Sequence, residues 1–414
     1  MEKQSESAAS SVENVSPPTG PNTQAGGGRR LKRRHYVARS LLAALFLLGA
    51  ALSVAPQGRA AARALLLLPA LVTAKQPGAL VANGDPVRHS TTTVDSRGGT
   101  VYLDIYEPDV PAPLLPGSRE GVVIIPGVGD ERKDSQLINL SESLAREGVV
   151  VMDLTTATLI AEQLTPDDGD AVTQAVLRLE QWPGVGAGRI GIFGISGGGA
   201  LACLAAADPR LHDKLAFMLL FGGYFDASTL LRDFGRRALV ADGQSQPWQP
   251  NPVPVQVLAN TIASTLPADQ AAILSNTFTP PFSPLPPSTL ATLSPGAVAA
   301  YHLLAGDDAA HVDANLAALS PPMKALLTQL SPSTVVGQIS TPIYLLHDRN
   351  DQYVPFTESR EFDAALTRLG RPHDFVEFNI FAHVEVRSGL GLGPLLGDAG
   401  SLYRILTELL APAS

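Results

Sequence analysis

At 414 residues, with 45% hydrophobic and 17% charged side chains, the chain carries enough apolar material for a large core, which excludes a wholly disordered protein. The formal charge of −9 is uneven: residues 1–40 hold seven basic and three acidic side chains, leaving about −13 for the remainder, an acidic balance that excludes a nucleic-acid partner. The single cysteine, Cys203, cannot form an internal disulfide, and no Cys/His cluster or H-E-x-x-H offers a metal site, so no cofactor is implied.

Residues 1–28, rich in Ser, Gly, Pro, Asn and Gln, lack hydrophobic periodicity and read as a disordered segment. Arg29, Arg30, Lys32, Arg33, Arg34 and Arg39 follow, and then Ser40 to Gly58 is free of charge, with Leu41 to Ala55 almost wholly apolar. As a helix these 19 residues reach roughly 28 Å, close to the hydrocarbon thickness of a bilayer. Residues 29–58 therefore read as a basic cluster plus a single-pass membrane anchor. The cationic side marks the cytoplasmic end and puts the rest of the chain outside the cytoplasm. A cleaved signal peptide is the alternative: Ser53-Val-Ala55 is a small-x-small site, although Pro56 follows it, and cleavage would leave a secreted protein. Residues 59–84 form an apolar connecting segment, whose Ala64 to Ala74 stretch is too short to span by itself and contains Pro69.

A globular domain is expected over 85–414. Thr91 to Tyr106 reads as two alternating strands joined at a Gly-Gly turn. Val122 to Pro126 then reads as a parallel strand, Leu137 to Arg146 as a helix, Val149 to Asp153 as a strand and Ala171 to Leu179 as a helix. Strands alternating with helices of this length call for a mostly parallel sheet covered on both faces, with ligands beyond the strand C-termini.

Residues 189–201, Arg-Ile-Gly-Ile-Phe-Gly-Ile-Ser-Gly-Gly-Gly-Ala-Leu, carry the strongest chemical signal. An apolar strand runs into Gly194-Ile-Ser196-Gly-Gly198 and then a small-residue helix, which is a G-x-S-x-G nucleophile elbow. The serine must occupy a strained turn, so the residues two before and two after it have to be small enough for strand and helix to approach. Cys203, seven residues on, points into the fold as a packing residue. Here the chain resembles the α/β-hydrolase family, in its serine esterase or dienelactone-hydrolase-like branch. That resemblance implies an oxyanion hole built from the backbone N–H groups of Gly197 and of Val128, the latter in the Gly-rich turn after the strand at 122. The family's common His-Gly pair is Pro126-Gly127 here, a departure that leaves the backbone donor available. A phosphate cradle is excluded, because no Lys-Ser or Lys-Thr follows the turn.

After a buried strand at Ala216 to Phe221 the alternation stops. From about 226 to 335 prolines recur among apolar helical pieces such as Asn315 to Leu330. An insertion at this point is where the family commonly carries a lid, so 226–335 reads as a Pro-rich helical cap, lined over the site by Trp248, Phe278, Phe282 and Tyr301, or merely held together by them.

Thr341 to Pro355 is a short strand ending in His347-Asp-Arg-Asn-Asp351-Gln-Tyr-Val-Pro355, which is similar to the family's acid loop H-G-x-x-D-x-x-V-P and assigns the carboxylate to Asp351. Asp348 replaces the usual glycine and is a second candidate. Phe375 to Phe378 reads as the last strand, and the loop after it carries His383, in the family's order Ser, Asp, His. His347 is its competitor, at a position where the family histidine is usually structural. The set Ser196, Asp351 and His383 implies a membrane-anchored serine hydrolase that cleaves a small-molecule carboxylic ester through an acyl-enzyme. A peptidase, thioesterase or acyltransferase, or a non-catalytic membrane-tethered binding module, are the alternatives on the same scaffold.

Overall fold

Strand β1 (Val87–Ser96) turns at Arg97-Gly98 into antiparallel β2 (Gly99–Pro108), with Ser96 paired to Gly99. Polar residues alternate along β1 because it is the sheet's outer edge, exposed on one face. The computed structural model describes residues 55–72, 75–112, 117–387 and 392–411. The expected leader, 1–28, and nearly all of the apolar stretch 40–58 lie outside these residues. Among the described residues no helix is long and apolar enough to cross a membrane. Residues Arg59–Ser414 form one compact unit.

Inside the edge hairpin the central strands become mostly apolar and buried, while the far edge strand stays half-buried. They are β3 (Gly121–Ile125), β4 (Val150–Thr156), β5 (Ile190–Ile195), β6 (Leu215–Phe221), β9 (Ile343–Asp348) and β10 (His373–Phe378). Among the described residues eight strands make one sheet in the order β1-β2-β4-β3-β5-β6-β9-β10, antiparallel from β1 to β4 and parallel from there on. Right-handed crossovers then require helices on both faces. Helices α5 (Asp168–Glu180) and α6 (Gly197–Ala206) pack with Val123, Ile125, Ile192 and Met218 on one face. Helices α3 (Ser135–Arg146) and α15 (Leu392–Leu409) pack with Ile124, Val151, Phe193 and Phe378 on the other. Asp134 caps α3 by accepting from the N–H groups of Gln136 and Leu137.

The apolar connecting segment packs on the sheet unit. Helix α1 (Pro56–Val72) buries Ala60, Ala64 and Leu67 against Leu406, Leu410 and Leu80, the last in α2 (Gly78–Asn83). Full burial of a leucine is worth about 2 kcal/mol, so these contacts suffice to dock the helix. Arg63 adds hydrogen bonds to the Glu147 and Glu120 carboxylates, each at 3.2 Å.

Between β6 and β9 lie helices α7 (Ala227–Arg236), α8 (Pro252–Ala263), α9 (Ala268–Phe278), α10 (Pro287–Leu290), α11 (Pro295–Ala305), α12 (Val312–Ala318) and α13 (Pro321–Gln329). Prolines open four of them, at positions where the missing N–H has no partner to lose. A small hairpin, β7 (Ala238–Ala241) with β8 (Gln244–Pro247), also forms here and turns on Asp242-Gly243, both at positive φ. Phe278 stacks on Phe282 and packs against Tyr301, so these three aromatics bind the insertion to itself. Short helix α4 (Ala157–Ile160) and helix α14 (Phe356–Leu369) complete the sheet's cover.

Candidate active site

The elbow is built by glycine. Ser196 has φ 54° and ψ −129°, a region that costs an L-residue energy and persists only where its surroundings enforce it. Its N–H donates to Phe221 O at 2.8 Å, latching the turn to β6. A Cβ on Gly198 would lie 2.4 Å from Ile125 O, and one on Gly194 2.7 Å from Gly199 Cα, so both positions exclude side chains. Cys203 is fully buried and burial pushes its thiol up, which leaves it a packing residue.

The turn after β3 faces the same edge. Gly127 and Gly129 both have positive φ, and a Cβ on Gly127 would meet Ser196 Cβ at 3.5 Å. Gly129 N–H donates to Leu159 O at 2.7 Å, fixing the turn from the far side. The N–H groups of Val128, within this turn, and Gly197, at the open N-terminus of α6, donate to no acceptor among the described residues. Leu164 lies beside Gly197, with its Cδ1 3.2 Å from where a Cβ would be.

Asp351 sits in the loop after β9 and is buried. Its Oδ1 accepts from the N–H groups of Tyr353 and Val354, at 2.7 and 3.0 Å, and its Oδ2 accepts from His383 Nδ1 at 2.7 Å. Burial alone would raise the carboxyl's pKa. Electrostatic attraction to His383 and hydrogen bonds from His347 and His383 outweigh it and hold Asp351 below the usual carboxylate range. An ionised Asp351 can only accept, so Nδ1 carries the proton and Nε2 is left with its lone pair.

His383 occupies the first central position of a two-residue hairpin between β11 (Phe381–Ala382) and β12 (Glu385–Val386), at φ 63°. That position favours glycine in a two-residue turn. The imidazole packs against Gly222, where a Cβ would stand 2.9 Å from its Cε1, and Gly223 faces Ser196 O at 3.3 Å by the same measure. The Gly222-Gly223 turn thus touches the histidine at one residue and the elbow at the next. Ser196 Oγ forms no hydrogen bond among the described residues.

The competing residues are held in structural bonds. His347 is fully buried, with Nε2 3.0 Å from Val354 O and 3.3 Å from Asp351 Oδ2, and Nδ1 2.7 Å from Ser359 Oγ. The carbonyl and the carboxylate only accept, so Nε2 donates to both and Nδ1 takes the serine proton, which makes His347 a prop of the acid loop. Asp348 Oδ1 accepts from Asn350 N–H and Nδ2, and its Oδ2 accepts from Phe381 N–H at 2.6 Å. It therefore supports the hairpin that holds His383 without reaching the imidazole. His89, His302 and His311 pair with Asp104, Asp307 and Asp308 respectively, and His35 lies outside the described residues.

Four residues brace the site, and of these only Trp248, read as a cap residue, is singled out by the sequence. Tyr353 stacks on His383. Trp248, expected to line the cap, is buried and donates from Nε1 to Asp351 O at 2.9 Å, while Asn251 N–H donates to Gln352 O. Glu358 accepts from the N–H groups of Phe225 and Asp226 and so fixes the chain after Gly223. Helix α8 runs from this acid loop to the loop beside Gly197, where Leu164 N–H donates to Thr261 Oγ1 at 3.1 Å.

No family model and no curated protein matches the chain. Among solved structures it is similar to dipeptidyl peptidase 4 of Porphyromonas gingivalis, at 14% identity over 78% of this chain and 36% of that one, with a TM-score of 0.45. It is also similar to acylaminoacyl peptidase of Pyrococcus horikoshii, at 13% identity over 82% and 45%, TM-score 0.47. A third is esterase B of Lactobacillus rhamnosis, at 15% over 80% and 91%, TM-score 0.45. The chain spans less than half the length of either peptidase. Its own strand order, the serine turn between β5 and α6, and the acid loop after β9 are those of the α/β-hydrolase fold, and the chain is a member of that fold class.

Proposed function

We propose that this protein is a serine hydrolase that cleaves carboxylic esters through an acyl-enzyme, with Ser196 as nucleophile, His383 as general base and acid, and Asp351 as the residue that orients and charges the imidazole. The supporting observation is the 2.7 Å hydrogen bond from His383 Nδ1 to a buried, ionised Asp351, at the sheet edge that also carries the strained Ser196 turn.

In this reading Ser196 Oγ attacks the ester carbonyl carbon and its proton passes to His383 Nε2. The carbonyl oxygen takes up the negative charge and accepts from the N–H groups of Val128 and Gly197, whose donors have no competing partner. The C–O bond to the alcohol breaks, and the imidazolium returns its proton to the departing oxygen. Water then attacks the acyl-enzyme, giving its proton to Nε2. The acid leaves as Ser196 regains a proton. Helix α8 and the rest of the insertion serve as a lid, and Leu41 to Ala55 tethers the enzyme to a membrane.

A fluorophosphonate probe tests the assignment: one equivalent is incorporated at Ser196 in the full chain and none in Ser196→Ala. Absence of labelling in folded protein would favour a binding module instead. Carbonate extraction of membranes holding the full chain tests the tether, which predicts retention in the pellet.

A further inference from the structure

Among the described residues, one face of the sheet is incompletely covered at its centre. Along β6, Met218 and Leu220 face α5 and α6 and are buried, whereas Phe217 and Leu219 face the other way and are only partly covered. Ile195 and Tyr344, beside them on β5 and β9, are likewise only partly covered. Central strands of a parallel sheet are normally covered on both sides.

The gap lies between α1, α3 and α15 and consists of two cavities of about 200 and 190 Å³. They share Leu71, Leu140, Phe193, Leu219 and Leu406, so they form one crevice along the strands. Polar side chains occur at its ends, Glu120, Arg189 and Glu408 at one and Glu131, Asp134 and Gln136 at the other, with hydrocarbon between. The second end is lined by chain neighbours of the site residues. Ile195 precedes Ser196, Phe221 precedes Gly222, Val384 follows His383, and Pro126 stands two residues before Val128.

We infer that this crevice holds the hydrocarbon chain of the substrate's acyl group, an inference that rests on the serine hydrolase reading above. Water requires polar partners that the walls between the two ends do not offer. A peptide would bring an N–H and a C=O per residue into a channel with nothing to pair them. A hydrocarbon chain needs neither. The six residues of β5 set a path of about 20 Å, the extended length of roughly fourteen to sixteen carbons. The preferred substrates are therefore long-chain esters, with the acyl carbonyl at Ser196 and the chain directed over Ile195 and Phe193 beneath α1.

The test uses the full chain with p-nitrophenyl esters from C4 to C16, and cis-parinaric acid as a fluorescent probe of the crevice. kcat/KM is expected to rise at least about tenfold from C4 to C12 as each added methylene is buried. Leu219→Trp, which fills the channel from the sheet, is expected to cut the C12-to-C4 ratio and the affinity for cis-parinaric acid about tenfold. Leu71→Trp fills it from α1 and gives the same result should the sheet variant fail to fold. Rates that stay flat from C4 to C12, with Ser196 still labelled by fluorophosphonate, overturn the crevice and leave the hydrolase standing. No turnover of any ester and no labelling overturn the hydrolase reading and this inference with it.

Discussion

The Tyr353 ring lies flat on the His383 imidazole, with centroids 4.5 Å apart and planes 10° from parallel. The stack has two consequences for a base that becomes a cation during turnover. It holds the ring against rotation, and its π-face favours the imidazolium. Tyr353→Ala is therefore expected to lower kcat by roughly fivefold to tenfold with little change in KM, because the contact strengthens only as charge appears. Tyr353→Phe keeps the stack and is expected to lose less. Steady-state kinetics on the two variants decide it; equal losses would assign the effect to something other than the ring face.

Two carboxylates close the loop after β9, and the geometry divides their work. Asp351 accepts from His383 Nδ1, while Asp348 accepts from the backbone of the hairpin that carries the histidine. Asp351→Asn presents an amide that stabilises the wrong tautomer, and kcat is expected to fall by roughly 10³–10⁴. Asp348→Asn weakens one backbone tether, with an expected loss of about tenfold from misplacement of the ring. Reversal of that order in kcat would hand the acid role to Asp348.

His383 stands at φ 63°, where glycine is free and other residues are strained. His383→Gly and His383→Ala both lose the base and the bond to Asp351, so the difference between them isolates the backbone. Urea unfolding is expected to find the glycine variant about 1 kcal/mol more stable than the alanine variant. Equal stabilities would show that the hairpin relaxes once the imidazole is gone.

Much of this arrangement is legible in the sequence because it depends on local chemistry. The elbow needs small residues at fixed offsets from Ser196, and the acid loop keeps Val354-Pro355 in register with Asp351, so both can be read without knowing the fold. The β7–β8 hairpin was also written in the chain, in the Asp242-Gly243 pair that suits a two-residue turn, but the many prolines around it masked the signal. Helix α15 begins at Leu392 and runs through Gly393, Pro394, Gly397 and Gly400, residues that lower helix propensity and leave no start signal in the sequence. The contacts of Tyr353 and Trp248 lie beyond sequence reasoning for a different reason. Each acts on a partner that the fold brings from about 30 or about 100 residues away, and no spacing rule connects them.

Asp153, in the interior of β4, gives the clearest dependence of stability on pH. It is fully buried, pairs in register with Asp104 of β2, and accepts only from Ser141 Oγ, at 2.8 and 3.1 Å to its two oxygens. The nearby cation, Arg132, is already committed to Asp104 and Asp130. Burial, only partly opposed by the Ser141 hydrogen bond, and the charge of Asp104 push the Asp153 carboxyl up to about 8 from an ordinary value of 3.8. Below pH 4 the group is protonated whether the chain is folded or not, and its contribution is complete. Between about pH 4 and 8 the unfolded chain releases the proton and the folded chain keeps it, so stability drains away as pH rises, by at most about 1.4 kcal/mol per pH unit. Asp153→Asn is uncharged in both states and lacks this slope. Urea unfolding at pH 5, 6, 7 and 8 is therefore expected to show the variant gaining on the parent protein at each step, whereas parallel curves would mean that Asp153 is ionised in the fold and that some other cation neutralises it.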